Sequence, residues 1–406
     1  MARVTPEARD DIKRQVRAVT PRIIEVRRDL HRHPERSKRE SRTSGVVADY
    51  LAHLSYEVAR GTKVYSVAAT LSGKKRGKTI ALRADMDALR LQEQTGLPFA
   101  SEVEGVMHAC GHDAHTAILL GVAEVLSKME DAVPGRVKFL FQPSEEAFPG
   151  GALPMIEEGV MENPRVDAAL ALHVDPVLPT GCISVRPGPS VGGVTAVNLT
   201  IKGKGGHFSA PHEAIDPITV AAHVLVGLQS MVTRQVDCRE PFVLTFGQIL
   251  GGTRDSIIPE EVIIRGDMAA MSGGLREAVE QNIERLVKGI TESFGASYEL
   301  KFWRGYPTVE NDPEMVELVK DAAVPIIGKD KVLTHELTLM GDDFSYFAQK
   351  VPAAMWLLGA WDRSKYPVPT GRHDSRFDLD EACIPLGIEL TANIALEYLL
   401  RNAEGG

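Results

Sequence analysis

Short apolar runs alternate with amphipathic segments over the first part of the chain. The apolar runs have the length of buried strands and are YSVAATLS (65–72), TIALRAD (79–85), RVKFLFQ (136–142) and AALALHV (168–174). The segment HTAILLGVAEVLSKM (115–129) has the spacing of an amphipathic helix. Such alternation predicts an α/β fold with a mostly parallel sheet flanked by helices.

The N-terminal segment carries one apolar residue at every third or fourth position, which predicts a helix with a single buried stripe. The stripe consists of Ile12, Val16, Val19, Ile23, Val26 and Leu30. Pro21 lies within this segment and predicts a restart or a gentle kink, because proline is tolerated in the first turn of a helix.

A different order of elements follows RPGPSVGG (186–193). Strand patterns occur at 195–203, 241–249, 261–271 and 297–303, and helical patterns at 216–234 and 275–294. This β-α-β-β-α-β order predicts an inserted α+β open sandwich of the ferredoxin-like type. The α/β pattern then resumes, with a strand at 352–360 and a closing helix after Glu381. We expect a larger domain built from 1–188 and 305–406, with the insert at 189–304.

Composition narrows the class of protein. The chain of 406 residues has a formal net charge of -9, which argues against a nucleic-acid-binding surface. No apolar run is expected to span a membrane, and the N-terminus lacks the apolar core of a secretory signal. The cysteines Cys110, Cys182, Cys238 and Cys383 are far apart, which is untypical of a disulfide framework. A cytoplasmic enzyme is the expectation.

Acidic, imidazole and thiol side chains lie at or just beyond the carboxyl ends of the predicted strands. They are Asp85 and Asp87, Glu145 and Glu146, His173, and the pair Cys110 and His112 before the next helix. Ligands of open α/β sheets bind beyond the carboxyl ends of the strands, so these groups are expected to converge. A thiolate and an imidazole suit Zn²⁺, and the carboxylates also allow Mn²⁺ or Co²⁺. The alternative for Cys110 is a buried, inert thiol. We expect His108 and His115 to be structural rather than ligands.

The adjacent Glu145 and Glu146 would project to opposite sides of an extended segment. One can then hold a metal while the other faces a water whose pKa the metal lowers, which is the chemistry of amide hydrolysis. The alternative is a pair of solvated surface glutamates.

In the insert, GKGGHFSAPH (203–212) fits neither the dinucleotide nor the P-loop pattern. Its glycines instead predict that His207 lies at a loop tip, able to polarise a substrate carbonyl.

At these residues the chain resembles the metal-dependent aminoacylase/carboxypeptidase family, which includes hippurate hydrolases, N-acyl-amino-acid amidohydrolases and auxin-conjugate hydrolases. The matching motifs span the chain and are RRDLHRHPE (27–35), ALRADMDAL (81–89), GVMHACGHDAHTA (105–117), FQPSEEAFPGGA (141–152), ALHV (171–174), GKGGHFSAPHEAIDPI (203–218), DDFSYFAQKVP (342–352) and RHDSRFDLDE (372–381). The resemblance implies a zinc-peptidase-like catalytic domain and an inserted dimerisation and lid domain.

The resemblance also implies roles for residues. Two divalent ions per subunit, Zn²⁺ or Mn²⁺ with Co²⁺ as an alternative, would share the ligands Cys110, His112, Glu146, His173 and His373. It makes Glu145 the general base and acid, and His207 a group that reaches the site of a neighbouring subunit in a homodimer or a dimer of dimers. Asp87, Asp113, Arg254 and Ser256 are expected to support the site or the substrate.

Three positions depart from the usual family pattern. Ser256 replaces an asparagine, Ala269 replaces an arginine that would help to hold a substrate carboxylate, and Arg90 replaces a proline.

The leading interpretation is hydrolysis of the amide bond of small N-acyl amino acids. The alternatives are a carboxypeptidase or dipeptidase of the same mechanism, a hydrolase of a carboxylate-free amide, and a non-catalytic binding module. No nucleic-acid or membrane partner is expected.

Overall fold

The computed structural model describes residues 3–365 and 367–403. The helices are α1 (Pro6–Arg32), α2 (Ser41–His53), α3 (His112–Ser127), α4 (Ala152–Glu157), α5 (Pro217–Gln235), α6 (Gly273–Ser293), α7 (Pro313–Ile327), α8 (Ser345–Ala348) and α9 (Cys383–Arg401). The strands are β1 (Val58–Arg60), β2 (Val67–Ser72), β3 (Lys75–Asp85), β4 (Pro134–Gln142), β5 (Ala168–Pro179), β6 (Ile183–Ser184), β7 (Gly188–Val191), β8 (Gly193–Lys202), β9 (Gly206–His207), β10 (Phe242–Gly251), β11 (Ile257–Ile258), β12 (Glu261–Ala270), β13 (Ser297–Arg304), β14 (Val309–Asn311), β15 (Val332–Leu333) and β16 (Ala353–Trp361).

The chain forms two compact units. The first unit consists of Met1–Gly188, Glu310–Glu336 and Asp343–Gly406, and the second unit of Pro189–Val309 and Leu337–Asp342. Each unit has a hydrophobic core cluster of its own.

The first unit is built on an eight-stranded sheet with the order β1-β2-β4-β3-β5-β16-β6-β15. Its centre, β4-β3-β5-β16, is parallel, and β1 and β2 add an antiparallel edge. The central strands are buried along most of their length, as apolar runs covered on both faces should be. The predicted α/β class with a mostly parallel sheet is confirmed.

Helices α1, α3 and α9 pack against one another in the first unit. All predicted stripe residues of α1 are buried except Val26, which is half-buried beside a fully buried Arg27. The predicted restart at Pro21 is wrong, since α1 is one uninterrupted helix. The apolar stripe continues on both sides of Pro21 and packs against α3 and α9, which keeps the two halves in one helix.

The expectation that no apolar run spans a membrane bears above all on the closing helix α9. Its 19 residues are long and apolar enough to cross a membrane. Within the first unit, however, 78% of the apolar window is buried. Such burial is typical of a helix in the core of a folded domain, which can be as long and as apolar as a membrane span.

The second unit is an antiparallel four-stranded sheet with the order β10-β12-β8-β13 and two helices, α5 and α6. Along β8 buried and half-buried residues alternate, so that Val197, Leu199 and Ile201 point into the core. Helix α6 contributes Ile283 and Val287 to the same core. The predicted β-α-β-β-α-β order is confirmed, with the short strands β9 and β11 added between these elements.

Candidate metal and catalytic site

The predicted metal-binding side chains of the first unit lie together. Three ligand groups can be formed from them, in each of which the donor atoms lie within 4.8 Å of one another. These groups are Cys110, His112 and His173; Cys110, Glu146 and His373; and His112, Glu145 and Glu146. Cys110 is common to the first two groups, so its sulfur is placed to serve two neighbouring ions.

The Cys110–His112 segment is shaped by the glycine between them. Gly111 has φ +92°, which a side chain rarely adopts, and it caps the N-terminus of α3. A Cβ at this position would lie 2.3 Å from Cγ2 of Val174. His112 is therefore the first residue of α3, which corrects the expectation that it precedes the helix. The turn at Gly111 lets Cys110 and His112 face the same ligand groups.

His173 and His373 reach the cluster from β5 and from the loop before α9. The sulfur of Cys110 lies 3.5 Å from Nε2 of His173. His173 lies within β5 rather than at its end, because the strand continues to Pro179. Nε2 of His373 lies 3.1 Å from Oε1 of Glu146. His373 has φ +62°, a strained value for a residue with a side chain, and its amide donates to the carbonyl of Ala109 at 2.8 Å.

Burial and charge make this cluster a good acceptor of cations. Hydrogen bonding to Cys110 and Glu146 raises the pKa of His373 to about 10. Burial lowers the pKa of His112, but the Asp85 carboxylate and the Cys110 thiol outweigh burial and raise it well above the usual value. Both imidazoles are therefore held beside negative charge, which also favours a metal ion.

The surroundings of the His112 ring nitrogens indicate whether this cluster suits a metal ion. His112 is fully buried, and neither of its ring nitrogens has a hydrogen-bond partner among the described residues. Oε1 of the half-buried Glu146 lies 3.9 Å from Nε2 of His112 and 3.1 Å from Nε2 of His373, so it faces both imidazoles. Buried polar atoms normally have partners, so these atoms have the chemistry of ligands. The thiol, imidazole and carboxylate donors together fit a pair of divalent ions.

The carboxylate of Asp87 holds the two glutamates. It accepts hydrogen bonds from the amides of Glu145 and Glu146 at 2.9 Å and 3.0 Å. The Ser37 hydroxyl donates to the same carboxylate at 2.6 Å, and Nδ1 of His112 lies 3.4 Å from it. Asp87 is 1% exposed. It therefore fixes the backbone of both glutamates and lies beside the imidazole of His112, a candidate metal ligand.

A second buried carboxylate, Glu40, holds the residue before the glutamates. Ser144 has φ +61°, and its amide and hydroxyl donate to Oε1 of Glu40 at 2.7 Å and 2.9 Å. Glu40 is fully buried. The sequence analysis missed Glu40, because a glutamate in RESRTS has the appearance of a solvated residue at the start of a helix.

His115 and Asp85 support the strand that carries His173. Nδ1 of His115 lies 2.6 Å from Asp85, and its Nε2 accepts from the amide of Val174 at 2.8 Å. The Arg83 guanidinium donates to the other oxygen of Asp85 at 2.6 Å. With both nitrogens engaged, His115 is held as a structural link, although its position also allows a ligand group with Asp85 and His112.

Asp113 lies one residue beyond His112 and accepts from two groups of α1. Nε of Arg27 is 2.7 Å and Nδ1 of His31 is 2.8 Å from Oδ2 of Asp113. Burial would raise the pKa of Asp113, but Arg27 and His31 hold it well below its usual value. The side chain of Asp113 thus fastens the first turn of α3 to α1. His108 lies close by, and burial lowers its pKa to about 4.

The remaining predicted residues belong to the second unit. His207 is exposed on β9 and pairs in register with Ile257 of β11. The carbonyl of Ser256 accepts from the amide of Phe208, and the carbonyl of Arg254 accepts from the amide of Ile257, both at 3.2 Å. His207, Arg254 and Ser256 are therefore brought together at the two-stranded sheet of β9 and β11.

Comparison with known proteins places the chain in a family. A model of peptidase family M20/M25/M40 matches residues 81–397. Thermostable carboxypeptidase 1 of Saccharolobus solfataricus is 39% identical over 96% of this chain and 98% of its own length. N-acyl-L-amino acid amidohydrolase of Geobacillus stearothermophilus is 45% identical over 75% of this chain and 82% of its own length.

The fold has solved counterparts. The crystal structure of the Bacillus subtilis YXEP protein, described as a dinuclear metal binding peptidase from the M20 family, is similar with a TM-score of 0.81 and 33% identity. The similarity covers 94% of this chain and 99% of that one. The family expected from the sequence motifs is confirmed. Because the family model spans most of the chain and the relatives match it along most of their length, the chain belongs to peptidase family M20/M25/M40 and is a hydrolytic enzyme.

Proposed function

We propose that this enzyme hydrolyses the amide bond of small N-acyl amino acids. The observation that carries the proposal is the pair of ligand groups that share Cys110, with Glu145 beside them. Oε2 of Glu145 lies 4.0 Å from Nε2 of His112, so the carboxylate adjoins the predicted metal ligands. The name of the amidohydrolase relative supports the substrate class.

Cys110, His112, Glu146, His173 and His373 would hold two divalent ions, Zn²⁺ or Mn²⁺, with Co²⁺ as an alternative. When bound, such ions supply Lewis acidity toward water and toward the amide carbonyl. The protein contributes the orientation of its ligands. Asp87 fixes the backbone of Glu146, and the turn at Gly111 fixes Cys110 relative to His112.

Glu145 is the proposed general base and acid. Its carboxylate takes a proton from water as the water oxygen bonds to the amide carbon, and it gives that proton to the nitrogen as the carbon–nitrogen bond breaks. Glu145 is 7% exposed, which limits competition from bulk water. Asp87 accepts from the amide of Glu145, and Glu40 accepts from the amide of the preceding Ser144, so the carboxylate of Glu145 works from a fixed position.

We further propose that the second unit is a dimerisation and lid domain and that the enzyme is a cytoplasmic homodimer. His207 would stabilise the negative charge that develops on the substrate oxygen in the neighbouring subunit. The exposure of His207 on the two-stranded sheet of β9 and β11 supports this role. Arg254 and Ser256 lie directly before β11 of the same sheet and are proposed to contact the substrate.

A carboxypeptidase or dipeptidase activity is the second candidate. The observation in its favour is the 39% identity to thermostable carboxypeptidase 1 over 96% of the chain. The same Glu145 and the same ligands would serve a peptide bond, so the reaction differs only in the acyl side of the substrate.

Metal removal and a substrate panel test the proposal together. The purified enzyme should lose hydrolysis of N-acetyl-L-methionine after chelation and regain it with Zn²⁺, Mn²⁺ or Co²⁺. The reason is that the proposed ligand side chains do not activate water without a bound ion. Elemental analysis should give about two metal ions per chain, because two of the ligand groups share Cys110.

The panel contains N-acyl amino acids, dipeptides and simple amides. The highest kcat/KM is expected for an N-acyl amino acid, whereas faster cleavage of dipeptides would favour the second candidate. Full activity in a demonstrably metal-free sample would contradict both candidates. Cys238→Ala, a change at an exposed cysteine outside the ligand groups, is the matched control for Cys110→Ala and should keep the metal content unchanged.

A further inference from the structure

A groove in the first unit carries three arginines that have no partner among the described residues. It has a volume of about 880 Å³, and its lining includes Arg36, Arg39 and Arg90 together with Tyr65, Leu91 and Val103. Grooves of this size hold small organic ligands. The walls are the segment after α1 and the segments that follow Asp87 and precede Cys110 along the chain.

The backbone brings the three arginines together. The amide of Arg39 donates to the carbonyl of Arg36 at 2.9 Å, which forms a tight turn. Arg36 forms a parallel bridge with Ala88, two residues before Arg90. Arg39 and Arg90 are exposed and Arg36 is half-buried, so their guanidinium groups are accessible from the groove.

None of these three guanidinium groups has a hydrogen bond, ion pair or ring contact with any residue in the described part of the chain. The nearby Arg42, by contrast, forms an ion pair with Asp29 at 2.8 Å. The net charge of -9 means that carboxylates are not scarce. Three like charges along one groove repel one another unless an anion lies between them.

The acidic residues of the groove do not neutralise this charge. The carboxylate of Glu35 accepts from the amides of Arg42 and Thr43 at 3.0 Å and 2.8 Å, so it is engaged at the N-terminus of α2. Glu104 is exposed and forms no ion pair with a residue of the described ranges.

We propose that this groove binds the anionic group, carboxylate or phosphate, of a small molecule. The planar guanidinium groups match such anions with paired hydrogen bonds, and Tyr65, Leu91 and Val103 offer apolar contact to the rest of the molecule. The anion has two possible sources. It is either the acid group of the substrate, in which case the inference rests on the proposed function, or a separate ligand. The position of the groove between segments that lead to Asp87 and Cys110 is compatible with both sources.

The test compares the metal-loaded enzyme with the triple variant Arg36→Gln, Arg39→Gln and Arg90→Gln. Inorganic phosphate is the probe for a separate anion, measured by titration calorimetry at low salt. N-acetyl-L-methionine and its amide are the probes for a substrate acid group, because they differ only in that charge. Arg76→Gln is the matched control, since Arg76 is exposed, unpaired among the described residues and outside the groove.

If the groove holds a separate anion, the triple variant should bind phosphate at least about tenfold more weakly, while Arg76→Gln should not. If it holds the substrate, KM for the acid should rise about tenfold while KM for the amide stays unchanged. Any phosphate that binds at the metal ions does so equally in the native enzyme, the triple variant and Arg76→Gln, so it does not affect the difference between them. Unchanged phosphate affinity together with an unchanged ratio of KM values would overturn the proposal. The phosphate measurement needs no hydrolysis, so failure of the proposed function would be seen separately.

Discussion

At the scale of single residues, Glu145 and Glu146 are neighbours in sequence with different surroundings. Glu146 is half-buried, and its Oε1 lies 3.1 Å from His373 and 3.9 Å from His112. Glu145 is buried, and its carboxylate adjoins His112 without taking part in the Cys110 groups. Both amides are bound by the same Asp87 carboxylate, so the division of roles depends on where each side chain points.

The two glutamates should therefore respond differently to the same substitution. Glu145→Gln should keep the metal ions and lose at least about 10²-fold in kcat, the usual scale for removing a general acid and base. Glu146→Gln should lose metal as well as activity, because it removes a ligand. Elemental analysis and kcat are measured on the same samples. Glu57→Gln, at an exposed position, is the control, and normal metal content with normal turnover in both site variants would refute the assigned roles.

Glu40 should give the stability of the protein a distinct pH dependence. Burial and the nearby Asp87 carboxylate raise the pKa of Glu40 to about 7. Because this pKa is higher in the folded state than in the unfolded state, the stabilisation is present at low pH and is lost as the pH rises through 7. Glu40→Gln keeps the acceptor oxygen for Ser144 but cannot ionise.

Relative to the native protein, we expect the free energy of unfolding of Glu40→Gln to increase by about 2–3 kcal/mol between pH 5 and pH 8, because the native protein loses stability over this range and the variant does not. Urea denaturation of both proteins at each pH measures this difference. Glu57→Gln again serves as the control and should show little change. A difference that does not vary with pH would mean that Glu40 is already ionised at pH 5.

At the scale of elements, the N-terminus of α3 carries the proposed metal ligands Cys110 and His112. Gly111 combines φ +92° with contact to the neighbouring strand β5, so that Cys110 and His112 are positioned by backbone conformation. Arg27 and His31 of α1 bind Asp113 in the first turn of the same helix. The site thus depends on how α3 is docked against both α1 and β5.

Gly111→Ala should destabilise the protein by more than the conformational cost of its positive φ, because the added Cβ would also press against β5. Gly96→Ala is the matched control, because Gly96 has φ +70° with nothing within 4 Å of an added Cβ. The control should cost about 1–2 kcal/mol for its φ alone. Gly111→Ala should cost a further ~1–3 kcal/mol from the contact with Val174. It should also lower the metal content. Thermal denaturation and elemental analysis give both quantities, and equal effects of the two variants would show that the contact with Val174 is unimportant.

At the scale of the whole molecule, the chain divides the proposed chemistry between two units. The ligand groups and Glu145 belong to the first unit, and His207 belongs to the second. Because the second unit is proposed to form the dimer, His207 is expected to act on the site of the partner subunit. This arrangement makes the activity of each site depend on two chains.

Mixed dimers of two inactive variants test the arrangement. A dimer of His207→Ala with Glu145→Ala contains one site with an intact Glu145 and an intact His207 from its partner. Co-expression should therefore recover a measurable share of the activity, up to about half of the native activity if every dimer is mixed. His212→Ala, at a neighbouring exposed histidine, is the control for loss of any imidazole from this region. No recovery in dimers whose composition is verified by mass would show that His207 serves its own subunit.

The sequence determined the elements and the family. Apolar runs of strand length and stripes of helical period are local properties, so they predicted the parallel sheet, α1 and the β-α-β-β-α-β order of the second unit. The motifs around Cys110, Glu145 and His207 pointed to a family that the comparisons confirm. Boundaries were less well predicted: α3 begins at His112 because of the conformation of Gly111, and β5 runs beyond His173 to Pro179.

Tertiary structure decided which distant residues meet. Glu40 binds Ser144 from 104 positions away, and Arg27 binds Asp113 from 86 positions away, contacts that no local pattern encodes. The groove of Arg36, Arg39 and Arg90 likewise exists only because the segment after α1 lies beside Ala88. Hydrophobic periodicity reports which face of an element is buried, whereas the partner of a buried charge is set by the packing of one element on another.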